Sequence, residues 1–304
     1  MGLGAIGAAV GEGIAASEAN LALSRKPEMS GDIFKTMLVG QAIAESAAIF
    51  ALVVAMILLF TSFPADSPLM ISVLLAAGFS MGLGAIGSGI GSGLPAGEAC
   101  TGMARQPGMS GQLTTNMLIG SAVCQTPSIF ALVISFILLF SNFSGQPVSP
   151  TWAAILGAGF AAGFGAIGSG FGGGLVAQTS CEGMAREPSS AGTVTNMMLL
   201  GQAVTQTTAI YGLLVAFILL FKGFAPSDNI AAAMAPLGAG LCMGIGAIGP
   251  GIGEGATARS AVQWMARNKK ATAELTRSML VGQAVSESTG IYSLVVALIL
   301  IFVI

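Results

Sequence analysis

Four glutamates stand inside apolar stretches of this chain, and their type and spacing suit an ion path. Glu12 and Glu254 lie in GEG contexts within glycine-rich segments; Glu45 and Glu287 lie in AES and SES contexts within segments rich in Leu, Ile, Val and Phe. Within each pair the separation is 33 residues (12 to 45, 254 to 287), and each first glutamate lies 13 residues before an arginine, Arg25 or Arg267. At about 1.5 Å per helical residue, 13 residues carry the chain about 20 Å, near the middle of a bilayer. An ionisable group at that depth costs about 3 kcal/mol or more, so it marks an ion or proton path by default. A carboxylate held between helices by hydrogen bonds alone is the blander alternative, and the recurrence of the same spacing argues against it. Two close carboxylates in a low-dielectric site do not readily both ionise. The expected arrangement is one protonated glutamate and one ionised, the latter neutralised by a small cation that takes carboxylate, hydroxyl and carbonyl oxygens as ligands.

The elements that must position these groups are legible in composition and repetition. Of 304 residues, 54% are hydrophobic and 8% charged, where a soluble domain carries about 25% charged residues. Apolar runs such as Ile49–Phe60, Ile129–Phe140, Ala209–Phe221 and Ile291–Ile304, with their flanks, are long enough to cross a hydrocarbon core. A basic loop recurs at Arg25, Arg105, Arg186 and Arg267, and GAIG recurs at Gly4, Gly84, Gly165 and Gly246. Such a period is the signature of a repeat architecture. Each unit reads as a Gly-rich apolar segment, a polar basic loop and a Leu/Ile/Val/Phe-rich segment. The expectation is an all-α membrane protein of eight transmembrane helices in four tandem hairpins, bounded 1–65, 66–146, 147–226 and 227–304. The spans expected are 1–24, 36–62, 68–104, 115–142, 151–185, 196–222, 229–266 and 278–304, the first being short.

The middle two units break the acidic pattern. The counterparts of Glu12 are Ser92 and Gly173, and those of Glu45 are Gln125 and Gln206. These positions do not ionise, so two of four hairpins bear charge. Pro127 removes an amide that would otherwise bond the Val123 carbonyl; this either frees an oxygen for a neighbouring site or leaves a tolerated kink.

Ten of the eleven basic residues fall on or towards the within-hairpin loops, Lys222 being the exception. The positive-inside rule then makes those loops cytoplasmic and puts both termini on the other side of a cell (inner) membrane. The many glycines let helix backbones approach closely, which suits a tight inner layer of Gly-rich helices with the bulky helices outside, facing lipid. Stretches such as Gly87–Gly91 loosely match a phosphate-binding fingerprint but lack the strand and helix N-terminus that motif requires. Cys100, Cys124, Cys181 and Cys242 form no CxxC pair and read as small buried hydrophobes. No basic, aromatic-interleaved patch supports nucleic-acid binding. The opening MGLGAIGAAV lacks a basic n-region or a cleavage site.

Hairpin by hairpin, the whole chain resembles the c subunit of F-type ATP synthases, the proteolipid of the rotor ring. The features are the Gly-rich first helix, the Arg-Gln-Pro type loop and the mid-membrane glutamate of the second helix. The run Gly282-Gln283-Ala284-Val285-Ser286-Glu287-Ser288-Thr289-Gly290-Ile291-Tyr292 is similar to the sodium-binding version of that family. The resemblance implies Glu287 as the principal ion carboxylate, a hydroxyl ligand from Ser288, a carbonyl from Val285, a water held by Thr289 and a hydrogen bond from Tyr292 to the carboxylate. It implies an equivalent set of Ile43, Glu45 and Ser46, with Glu12, in hairpin 1, where Ala47 and Phe50 replace Thr and Tyr. It further implies Na+ (alternatively H+) as cargo, a homo-oligomeric ring with or without other c proteolipids, a stator a subunit, and central-stalk subunits at the loop arginines. The departures are the two hairpins without a carboxylate and Lys269 in place of a loop proline. A secondary transporter or channel using the same glutamates as a relay is the alternative; such folds often use inverted repeats, whereas these four run parallel.

Overall fold

A computed structural model describes residues 1–64 and 67–303. The expected boundary between the first two hairpins, 65/66, and the last residue of the fourth lie outside the described residues. The described chain is helical throughout its length: α1 (Gly2–Arg25), α2 (Ser30–Phe60), α3 (Met70–Arg105), α4 (Ser110–Phe140), α5 (Val148–Arg186), α6 (Ala191–Thr205), α7 (Thr207–Phe221), α8 (Ile230–Arg267) and α9 (Thr272–Phe302). Helices α6 and α7 are two halves of one span. Among the described residues, seven spans are long and apolar enough to cross a membrane; α1, the eighth transmembrane segment expected from sequence, does not meet that measure by itself.

Each hairpin bends through a short 3-10 turn: Pro27–Met29, Pro107–Met109, Pro188–Ser190 and Lys269–Ala271. Proline presets the first φ of such a turn, yet Lys269 forms the same turn without it. The loop arginines close the last turns of α1, α3, α5 and α8, where a cation complements the helix dipole. Arg186 Nε pairs with Glu182 Oε1 at 2.8 Å, Arg105 with Glu98 at 3.9 Å, and Arg267 stacks over Trp264 at 4.8 Å. The outer helices start five or six residues earlier than the apolar runs indicate, at 30, 110, 191 and 272. Their first turns are polar and helical, so hydropathy alone under-reads them.

The inner helices α1, α3, α5 and α8 pack side by side in chain order. Glycine makes this possible. A Cβ on Gly7 would collide with the Ile86 backbone, one on Gly87 with Ile167, and one on Gly168 with Ile248. These glycines occupy the same repeat position, so one close contact is stamped three times along the layer. Each outer helix lies in the groove between its own inner helix and the next: α2 against α1 and α3, α4 against α3 and α5, and α6–α7 against α5 and α8. The last outer helix, α9, has only α8 to lie on and is the least buried span.

Helix α4 runs unbroken through Pro127. The interrupted outer span is instead the third, at Gln206. There Ser169 Oγ donates to the Thr205 carbonyl (2.6 Å) and accepts from the Ala209 amide (3.1 Å). These are the two partners of what would be one helical hydrogen bond, and a hydroxyl wedged into that ladder splits the helix.

The glycine register predicts that Gly87→Ala overpacks the inner layer and lowers unfolding stability by about 1–3 kcal/mol or more, while Gly192→Ala, which meets nothing within 4 Å, leaves it unchanged. Thermal denaturation of the purified chain in detergent reads both.

Candidate cation site

The carboxylates of each pair are close enough to interact electrostatically, Glu12 with Glu45 and Glu254 with Glu287. The Glu254 side chain is wholly buried, and neither carboxylate oxygen has a hydrogen-bond partner. Glu287 Oε1 accepts a hydrogen bond from the Tyr211 hydroxyl at 2.5 Å, across the seam between hairpins 3 and 4. A buried carboxylate with unused oxygens is costly unless protonated or paired with a cation, so the donor set at this seam fits a small hard cation or a proton.

The tyrosine is a correction to the sequence reading. Tyr292, the partner of Glu287 that the sequence suggests, is 65% exposed on the free face of hairpin 4, and Tyr211 makes the hydrogen bond instead. The cause is the stagger of the two layers, which sets α7 beside α8 and α9. Tyr211 and Tyr292 occupy the same repeat position, with Phe50 and Phe130 in the other hairpins. That shared position is the available signal; which neighbour it serves is set by packing.

The hydroxyls expected as ligands bond within their own helices. Ser46 Oγ donates to the Ile43 carbonyl (2.6 Å) and Ser288 Oγ to the Val285 carbonyl (2.7 Å). Thr289 Oγ1 donates to the Ser286 carbonyl (3.1 Å). Glu45 and Val285 are exposed, on α2 and α9 respectively, and Glu12 is half-buried. The Ile43 carbonyl also accepts from Gln125 Nε2 of hairpin 2 at 3.0 Å. Here too, a carbonyl of one hairpin meets the following hairpin's counterpart of the acidic position.

The non-ionising positions differ from one another. Gln125 Nε2 reaches Ser92 Oγ at 2.7 Å, whereas Gln206 is buried with both amide atoms unpartnered, and Gly173 offers only its carbonyl, to Gln202 (3.1 Å). A rung of hydrogen bonds one turn away has no counterpart in the sequence reading. Gln41, Ser121, Gln202 and Gln283 donate to the carbonyls of Glu12, Ser92, Gly173 and Glu254, at 3.1–3.3 Å. Gln202 and Gln283 also reach back to Gly120 and Gly201 of the preceding hairpin. This rung fixes the depth of each inner helix against its outer one, and so the height at which Glu254 meets Glu287.

Parallel helical hairpins, touching through glycine and bringing carboxylates together in mid-span, define a multi-pass membrane proteolipid that handles cations. The profile of the family described as the ATP synthase C subunit matches four times, over residues 1–58, 75–138, 156–219 and 237–300. The K subunit of the A-type ATP synthase of Methanocaldococcus jannaschii is 31% identical over 233 residues, covering 76% of this chain and 96% of that one. The ATP synthase c subunit of Petrotoga mobilis is 61% identical over 67 residues, 22% of this chain and 70% of that one, and that of Thermotoga maritima is 54% identical over 68 residues, 22% and 80%. The chain belongs to the family of ATP synthase c subunits. It is a rotor component of a rotary ATPase that translocates cations, a membrane part of the complex and not itself its catalyst.

Tyr211→Phe removes the one hydrogen bond found on Glu287 among the described residues. Carbodiimide modification of Glu287, followed by peptide mass spectrometry, is expected to lose part of its protection by the bound cation, with the half-protecting concentration rising roughly tenfold for a lost charge-assisted bond of about 1.5 kcal/mol.

Proposed function

We propose that this protein holds two sodium stations per chain. One is formed within the chain by Glu287 and Glu254 with Tyr211. The other forms between chains, from Glu45 and Glu12 of one copy and Val285 and Tyr292 of the preceding one. The supporting observation is the hairpin 3–4 seam, where Glu254, wholly buried, and Glu287 with Tyr211, both half-buried, converge across two hairpins. In each pair one glutamate keeps its proton and the other gives its charge to the cation. The loaded station is then neutral and crosses the apolar medium, while the emptied one is charged and is confined to a hydrated path. The ESTGIY run, rich in hydroxyls around Glu287, favours sodium over a proton as cargo. The Ser288 and Thr289 hydroxyls that would serve as ligands bond to carbonyls of their own helix.

The second station follows from the two free edges. Hairpin 4 presents Gly249, with nothing within 4 Å, where Gly7, Gly87 and Gly168 each meet an isoleucine backbone. Hairpin 1 presents Ile6, the counterpart of those isoleucines, 52% exposed. Edges of opposite kind on one chain give a head-to-tail contact, which closes into a ring when the rotation permits. In that ring Tyr292 approaches Glu45 of the next copy as Tyr211 approaches Glu287. The loops carrying Arg25, Arg105, Arg186 and Arg267 meet the central stalk on the cytoplasmic side, a stator a subunit supplies the hydrated path, and both termini lie on the far side of the inner membrane. With two charged hairpins in four, fewer ions move per turn, which favours ATP-driven export over synthesis.

Two experiments test this. Carbodiimide labelling of Glu287 and Glu45 in the assembled complex is expected to be blocked by sodium. Blocking by alkaline pH alone identifies a proton carrier, and full transport by the Glu45→Gln, Glu287→Gln double variant overturns the assignment. Gly249→Leu is expected to leave the chain folded but to abolish the ring, read by native mass spectrometry; intact rings would refute the head-to-tail edge.

A further inference from the structure

Hairpin 2 has no carboxylate at the repeat position of Glu45 and Glu287, yet its seam with hairpin 1 gathers polar oxygens there. We propose that the uncharged Gln125 carboxamide stands in for a cation: its nitrogen fills the oxygen shell of a latent monovalent-cation site, so this position stays neutral without exchanging an ion. Nε2 has three oxygens around it, Ser92 Oγ at 2.7 Å, the Ile43 carbonyl at 3.0 Å and the Ser88 carbonyl at 3.3 Å. A primary amide has two N–H groups, so the nitrogen sits in a shell of acceptors larger than its own donors require. Ser92 Oγ donates to the Ser88 carbonyl at 2.8 Å and therefore turns a lone pair towards Nε2. At the opposite end of the amide, Ser128 Oγ donates its one hydrogen to the Gln125 backbone carbonyl at 2.7 Å and lies 3.3 Å from Oε1. The Ile43 and Ser88 carbonyls can only accept, so the end of the amide that faces them is the nitrogen.

The shell comes from two helices, Ile43 from α2 and Ser88 and Ser92 from α3, and Gln125 reaches into it from α4. It is uncharged, of hydroxyl and carbonyl oxygens, the ligand types that hard cations take. Supplied with a carboxylate in place of the amide, it has the composition of a monovalent-cation site. The shell is not a general property of glutamine at this repeat position. Gln206 has no partner on either amide atom, and its neighbour in the repeat is Gly173, which has no side chain. The two non-ionising seams therefore differ: one is closed by an internal donor and the other is not.

This inference rests on the reading of Glu287 as a cation carboxylate, and the test separates the two. Gln125→Glu is made in the full complex and labelled with a carbodiimide, with and without sodium and across pH. The carboxylate introduced at position 125 is expected to be modified, and to be protected by whichever cation protects Glu287. Modification that no cation suppresses, while Glu287 remains protected, overturns the inference; loss of protection at Glu287 in the unaltered protein overturns the parent reading instead. Should the charged variant not assemble, Gln125→Leu and Gln206→Leu decide the matter. The first is expected to lower the thermal stability of the ring well below that of the second, and equal effects would overturn the inference.

Discussion

A carboxylate in hydrocarbon must be cancelled, and the architecture follows from how that is done. Water is absent at that depth, so the cancelling group has to be a proton, a cation or a donor supplied by the protein. One helix does not surround a carboxylate. Glu287 takes its hydrogen bond from a different hairpin through Tyr211, and Glu254 lies wholly buried. The seam between hairpins, rather than the hairpin, is therefore the unit that handles charge.

Seams of this kind require close backbones and a fixed stagger. Glycine at the position of Gly7, Gly87 and Gly168 allows each inner helix to touch the next at an isoleucine backbone. The glutamine rung then pins each outer helix to its own inner helix and, at Gln202 and Gln283, to the preceding hairpin. A side chain larger than hydrogen at the glycine contact would spread the layer and pull Tyr211 away from Glu287. Packing and ion chemistry thus share the same few ångströms.

Much of this is legible in the sequence because the signals are periodic. The repeat of Arg25, Arg105, Arg186 and Arg267 marks the hairpins, and the 33-residue spacing marks the paired glutamates. What is not legible is what depends on neighbours. Repetition places Tyr211 and Tyr292 at one position but does not say that the outer helix leans towards the following hairpin, and the family resemblance, carried over within one hairpin, pairs Tyr292 with Glu287 of its own helix. The break at Gln206 is hidden for the same reason, since its cause, Ser169, lies on another helix. Proline, the local signal for a break, points instead to Pro127, where the helix continues. The early starts of the outer helices are masked by polar first turns.

Fusion of four hairpins into one chain gives freedom that a ring of single identical hairpins lacks. Where every hairpin is the same polypeptide, every seam must be the same. Here each internal seam has its own residues: Gln125 with a filled oxygen shell, Gln206 with none, and Glu287 with a tyrosine. The glycine contact, which all of them need, is retained at each. Selection can then remove charge from one seam without loosening the layer, provided that something else satisfies the oxygens left behind. In hairpin 2 a carboxamide does so, which is why a position without charge still has its hydrogen-bonding partners. The number of ions moved per turn becomes a property written into the chain, independent of how many helices the layer contains.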